Sequence, residues 1–199
     1  LVAPLAGALA GVVTALLQTK CKVAPILAGI ITMTALYSIN LMVMGGRSNL
    51  QLLRTETVFT AVRALLGDSV GPLVLLAVVD VAVCTLLGLF LRTRTGLAVR
   101  ATGDNPAMVR ASSINPALTT LIGLAIANAL VGLAGGLIAQ YQQFTEVGGG
   151  TGTVVLGLAS LIIGEVVTGR SSMPRRLAGA IVGAIVYRLI LALALSASV

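Results

Sequence analysis

A chain of 199 residues that is 57% hydrophobic and only 10% charged, with a mean hydropathy of +1.06, carries more apolar surface than one soluble domain can bury, since soluble domains are about a quarter charged. The net charge of +7 would suit nucleic acid, but the basic residues lie between apolar segments and aromatic residues amount to 3%, so base stacking and nucleic-acid binding are excluded. Histidine is absent and the two cysteines, Cys21 and Cys84, have no metal-ligand spacing, which removes Ser-His and zinc-protease chemistry and leaves neither a catalytic nor a metal site to assign.

In chain order, apolar stretches at about 1–18, 24–44, 72–91, 117–139, 153–169 and 177–198 match the roughly 20 residues that a helix needs to cross the hydrocarbon core. They predict an all-α, polytopic membrane helix bundle of about six transmembrane helices, forming one domain over 1–199. The opening at Leu1 has neither the basic start nor the small-residue cleavage site of a signal peptide, and earlier membrane segments are expected to be missing from this chain. Between Arg47 and Gly71 the chain is too polar to span. Leu52, Leu53, Val58, Phe59, Val62, Leu65 and Leu66 fit an amphipathic helix on the outer surface, or an ordinary connecting loop. The stretch at 153–169 is the shortest, follows Gly148, Gly149, Gly150 and Gly152, and carries Glu165 near its end; it spans part-way, or spans with its end buried in protein.

If each stretch crosses once, Lys20, Lys22, Arg92, Arg94, Arg100, Arg110, Arg170, Arg175 and Arg176 share one side, nine of the thirteen basic residues. The opposite side keeps Arg47, Arg54 and Arg63, offset by Glu56 and Asp68, and the almost uncharged loop from Gln140 to Gly152. Short basic loops stay in the cytoplasm, so the first side is inside and the positive charge serves topology and anionic lipid. Small residues four apart, Gly7 and Gly11, Gly132 and Gly136, Gly179 and Gly183, and Ala125 and Ala129, predict faces where helix backbones approach closely.

Five polar residues interrupt the apolar stretches: Asp80, Arg188, Asn40, Asn128 and Glu165. A charge at the bilayer centre costs about 2.5–3.5 kcal/mol even on the lenient insertion scale, so these groups should face protein or water. Arg188 could pair with Asp80 or Glu165. The set fits structural pairs that fix helix register better than it fits a translocation path or substrate contact. Tyr37, Tyr141, Phe144 and Tyr187 suit interfacial or path-lining places.

The polar interval from Leu91 to Asn115 concentrates Arg92, Arg94, Arg100 and Arg110 with one acid, Asp104. Asp104 or Asn105 can cap a helix that Pro106 starts, Gly103 supplies the preceding turn, and Asn115-Pro116 closes the segment. The predicted helix runs about two turns, from Pro106 to Ser113, with Ala107, Met108, Ala111 and Ile114 as one docking stripe beside Arg110. So short a helix needs a partner surface.

The stretch Thr95-Gly96-Leu97-Ala98-Val99-Arg100-Ala101-Thr102-Gly103-Asp104-Asn105-Pro106, followed by Ala111 and Ile114-Asn115, resembles the cytoplasmic loop of permease subunits of bacterial ABC importers of the branched-chain amino acid and ribose group. It departs at Ser113, where that family usually has Gly. Further matches are Leu27-Ala28-Gly29-Ile30 to Tyr37-Ser38-Ile39-Asn40 and Gly157-Leu158-Ala159-Ser160-Leu161-Ile162-Ile163-Gly164-Glu165. The resemblance covers nearly the whole chain and implies that the family's first one to three helices are absent from it.

It further implies a multi-pass protein of the bacterial plasma (inner) membrane that works as a homodimer or pseudo-dimer with two cytoplasmic ATPase subunits and an extracytoplasmic solute-binding protein. The solute expected is an amino acid, aromatic ones included. Arg100, Gly103, Asp104, Asn105, Pro106, Met108, Arg110 and Ile114 would belong to a cytoplasmic coupling helix docked in the ATPase. ATP would sit in that partner: this chain has no Gly-x-x-x-x-Gly-Lys phosphate loop, its only lysines are Lys20 and Lys22, and it needs no cofactor of its own. The rival reading is a secondary transporter or ion channel working through Asp80, Glu165 and Arg188. An intramembrane aspartyl protease lacks a second facing acid.

Overall fold

The computed structural model describes residues 2–52, 57–68, 70–150, 152–169 and 172–197. Leu1, Leu53, Arg54, Glu56 and Arg170 lie outside the described residues, as do the side chains of Leu65 and Leu66. The elements are α1 (Val2–Thr19), α2 (Pro25–Val43), β1 (Asn49–Gln51), α3 (Val58–Leu66), α4 (Val70–Phe90), α5 (Arg94–Asp104), α6 (Pro106–Ala111), α7 (Pro116–Gln142), β2 (Phe144–Glu146), α8 (Thr153–Thr168) and α9 (Met173–Ala197). Helices α1, α2, α4, α7 and α9 are long and apolar enough to cross a membrane. The fifth stretch is helical as expected, but α8 has 16 residues, or about 24 Å of rise against a hydrocarbon core of about 30 Å.

The chain divides into two compact units, the first holding residues 1–82 and 89–148 and the second residues 83–88 and 149–199. In the first, α1 and α7 meet over a strip of small residues. A Cβ on Gly7 would strike the Asn128 carbonyl, one on Gly11 the Leu124 carbonyl, and one on Gly132 the Ala3 carbonyl. Bare glycines thus let the two backbones touch, which is how helices associate where lipid removes the hydrophobic drive. Toward α2, the Thr14 hydroxyl lies 2.9 Å from that of Thr32, and Thr32 Oγ1 donates to the Ala28 carbonyl at 2.9 Å. Both threonines are buried; bonding each other and their own helix spares them an unsatisfied group in an apolar setting.

At the far end of this unit the connection after α2 meets the connection after α7. The strands β1 and β2 pair antiparallel, Leu50 opposite Thr145, extended by Val147 N donating to Ser48 O at 3.0 Å and Leu52 N to Gln143 O at 2.8 Å. This ribbon is an addition to the all-helical expectation, and it puts the C-terminal ends of α2 and α7 on one side, as alternating single crossings require. Of the two readings for the polar connection, the helix is realised. Thr57 caps α3 in a reciprocal capping box with Thr60, the Val58 N–H donates to Gln140 Oε1 at 3.3 Å, and Phe59 is 1% exposed. The Phe59 ring stands edge-on to Tyr141, centroids 5.7 Å apart. Phe59→Ala is expected to cost about 3 kcal/mol, through the cavity and the lost ring pair. Thermal unfolding of the detergent-purified protein should show a lower midpoint than for Phe59→Leu.

The second unit is built on α8 and α9. A Cβ on Gly164 would strike the Gly179 carbonyl, and one on Gly183 the Ser160 carbonyl, so the helices run antiparallel with Gly164, Gly179 and Gly183 at the seam. The glycine pairs expected to mark helix contacts do so in both units.

Candidate functional site

The polar interval holds two helices where one was expected. The stretch from Arg94 to Asp104 forms α5, an 11-residue helix. Thr93 starts it: its hydroxyl accepts from the Gly96 N–H at 3.2 Å and lies 2.6 Å from the Phe90 carbonyl that ends α4. Gly96 is buried directly against that turn, where a Cβ would run into the Phe90 carbonyl and lie 2.6 Å from Leu91 Cα, so any side chain there would push α5 off the end of α4. Along its other side α5 rests on α7. The Thr102 and Thr119 hydroxyls are 2.7 Å apart, and Val99 Cγ1 would be 3.1 Å from a Cβ on Gly123.

Gly103 and Asp104 are therefore the last residues of α5, not a turn and a cap. Asn105 alone caps α6: its Oδ1 accepts from the N–H groups of Ala107 and Met108, both at 3.1 Å, and Pro106 occupies the first turn. Asn105 is also the residue that ends α5, so one side chain holds the joint between two helices. Helix α6 closes at Ala111, two residues before the expected Ser113. Its end is a Schellman turn: Ile114 N donates to Val109 O at 3.2 Å and Ser113 N to Arg110 O at 3.1 Å, with Ser113 at φ +60°. That geometry favours glycine. Ser113 is where the sequence departs from the glycine of the resembled pattern, and Ser113→Gly is expected to stabilise the protein by about 1 kcal/mol, seen as a higher melting midpoint.

The burial of α6 is one-sided. Val109 is 1% exposed; it anchors the helix, yet it was not singled out in the sequence because Ala107, Met108, Ala111 and Ile114 formed the more regular apolar stripe. Those four lie outward with Arg110, Met108 at 58% and Ile114 at 38% exposure. Arg100, Asp104, Asn105 and Pro106 are exposed as well. The expected interval residues are thus divided: Arg100, Gly103 and Asp104 on α5, Asn105 at the joint, Pro106, Met108 and Arg110 on α6, and Ile114 in the turn that follows.

The polar residues of the long helices fall in both units, Asn40, Asp80 and Asn128 in the first and Glu165 and Arg188 in the second. Asn128 Nδ2 donates to the Leu124 carbonyl at 2.9 Å, and its own carbonyl lies under Gly7, which makes it part of the α1–α7 seam. Asn40 is exposed and its carbonyl receives the Met44 N–H at 2.9 Å. Asp80 is exposed at the midpoint of α4, Glu165 is half-buried near the end of α8, and Arg188 is exposed on α9. With Gly164 facing Gly179 and Ser160 facing Gly183, Glu165 and Arg188 are offset by about ten residues along the α8–α9 seam, or about 15 Å. A direct Arg188–Glu165 pair is not made. Among the described residues no group of three or more His, Cys, Asp or Glu could hold a metal ion.

Among the described residues, five membrane-length helices and the glycine seams define a polytopic helical membrane protein, with a capped connector helix that keeps one face open. The chain belongs to the branched-chain amino acid transport system permease component family, whose sequence model it matches over residues 1–198. It is similar to the tyrosine transport system permease protein of Clostridioides difficile, 38% identical over 197 residues that cover 98% of this chain and 64% of that protein. An uncharacterized protein of Rickettsia prowazekii, RP368, is 29% identical over 161 residues, 81% of this chain and 55% of its own length. The probable branched-chain amino acid transport permease protein LivH of Methanocaldococcus jannaschii is 29% identical over 106 residues, 52% of this chain and 31% of that protein. The chain therefore spans less than two-thirds of the relatives it matches. No solved structure matches it.

Proposed function

We propose that this chain is the membrane-spanning part of a permease subunit in an ATP-driven importer of the bacterial plasma membrane. Two permease copies, two cytoplasmic ATPase subunits and an extracytoplasmic binding protein complete the assembly, and the solute is an amino acid. The tyrosine permease relative favours an aromatic one. ATP is bound and split in the partner, and this chain supplies the path.

The observation that carries this reading is α6: six residues, too few to hold a helix alone, capped at both ends, anchored by Val109 and open along Met108 and Ile114. It sits in the interval that holds Arg92, Arg94, Arg100 and Arg110, the cytoplasmic side by the charge rule. Mechanically, a push on α6 passes through the Asn105 joint into α5, which is pinned to α7 by Thr102 and Thr119. It also passes through the Schellman turn straight into the start of α7. The glycine seam carries it on to α1. Helices joined this closely move as rigid bodies, as alternating access requires.

The test is co-purification of the ATPase with the full-length permease. Replacing Pro106 to Ala111 by a Gly-Ser linker of equal length is expected to release the ATPase while the permease stays in the membrane. Retention of the ATPase by the linker variant contradicts α6 as the dock.

A further inference from the structure

The ribbon that joins the ends of α2 and α7 has two unlike faces. Residues opposite each other in an antiparallel pair share a face, so the pairing of Gln51 with Phe144 and of Asn49 with Glu146 puts those four side chains together. Leu50 and Thr145 take the other side. The first face is one wall of a cleft of about 260 Å³, lined by Asn49, Gln51 and Phe144 of the ribbon and by Gln142 and Gln143 at the end of α7. The backbone bends to build it: Gln143 is left-handed at φ +60°, a conformation that favours glycine, and it turns the chain from the helix into β2. The whole cleft lies within the first compact unit and, by the charge rule, on the extracytoplasmic side.

Four carboxamides in the lining each offer N–H donors and an oxygen acceptor, and among the described residues of this unit none of the four has a hydrogen-bond partner. Phe144 leaves 40% of its surface open beside them. Glu146, the one charge between Arg110 and Glu165, stands on the same face one pair along. A zwitterion with an apolar side chain answers all three features. Its carboxylate takes amide donors, its ammonium takes the Glu146 carboxylate in a charge-assisted bond, and its side chain packs on the Phe144 ring. The volume, just below the roughly 300–1,000 Å³ of small-molecule sites, suits one such solute. We propose that this cleft is an outer subsite that receives the amino-acid solute before it enters the membrane path. This rests on the importer reading and adds to it a site on the ribbon and the residues that recognise the solute there.

The experiment is saturation-transfer NMR of tyrosine with the full-length permease in lipid nanodiscs, which reads weak binding on the ring protons of the ligand. Expected is a tyrosine response from the parent protein, with affinity lowered about tenfold by Glu146→Gln, lowered also by Phe144→Ala, and unchanged by Leu50→Ala on the opposite face. Tyramine, which lacks only the carboxylate, should lose affinity with Glu146→Gln as tyrosine does. Hydroxyphenylpropanoate, which lacks only the ammonium, should bind that variant at least as well as the parent. No response from the parent overturns the proposal, as does a Glu146→Gln variant that binds tyrosine undiminished or loses the propanoate equally. An equal loss with Leu50→Ala overturns it too, because the ribbon and not a contact has then been lost. Co-purification of the ATPase keeps the two readings apart: its absence from the parent permease means that the importer reading has failed, and its presence confines a failure to the cleft.

Discussion

Gly132→Leu is expected to part α1 from α7 and to remove most folded permease from the membrane. At this position a Cβ meets the Ala3 carbonyl and comes within 3.2 Å of Gly7 Cα, and neither is the end of a flexible side chain that could turn aside. A longer side chain must push two backbones apart along a seam where Gly7, Gly11 and Gly136 are also in close contact. Overpacking of this kind costs about 1–3 kcal/mol in a well-filled core. The cost should be at the upper end here, because in lipid the association depends on backbone approach itself. Gly135 is the control, since a Cβ there meets nothing within 4 Å. Size-exclusion profiles and melting midpoints of the two leucine variants should differ sharply, with Gly135→Leu close to the parent. Equal behaviour would show that the seam does not hold the bundle.

The second large effect separates docking from folding on neighbouring residues. Met108 is 58% exposed and Val109 is 1% exposed, so the two side chains leave α6 on opposite errands. Met108→Glu with Ile114→Glu should leave the melting midpoint of the permease unchanged, because both sites are open. In the assembled transporter the same pair should weaken ATPase binding by about 3 kcal/mol, on the order of a hundredfold, as for anchors in a docked interface. Val109→Asp should do the reverse, lowering the midpoint through an unpaired buried charge. Thermal unfolding paired with ATPase titration checks both. A Met108 and Ile114 double variant that melts early, or that binds the ATPase normally, contradicts the assignment of that face.

The long helices were legible because each is a nearly unbroken apolar run, and lipid leaves the backbone no alternative to a helix. Expected ends near 18, 44 and 91 fall within about two residues of Thr19, Val43 and Phe90. The glycine seams were legible as spacing, but which helix each would meet was not, since partner choice is a matter of tertiary contact. Helix α5 was hidden. Its sequence Arg-Thr-Gly-Leu-Ala-Val-Arg-Ala-Thr-Gly-Asp mixes two glycines with β-branched residues and polar ones, a poor intrinsic helix. It forms because Gly96 fits under the end of α4 and Thr102 meets Thr119. Asn105 was one of two caps that the sequence allowed, and the extra turn of α5 decided between them by absorbing Asp104. The β1–β2 ribbon left no trace, because three-residue strands of mixed polarity have no period to read.

The central claim, that motion of a cytoplasmic ATPase enters this bundle through α6, is tested most directly by solute uptake into proteoliposomes holding the full-length permease, its ATPase and its binding protein. The account predicts uptake that requires ATP on the ATPase side and falls on the order of a hundredfold with Met108→Glu and Ile114→Glu, while the ATPase alone keeps its basal hydrolysis. Uptake at an undiminished rate without the ATPase, driven by an ion gradient across the same vesicles, would contradict it.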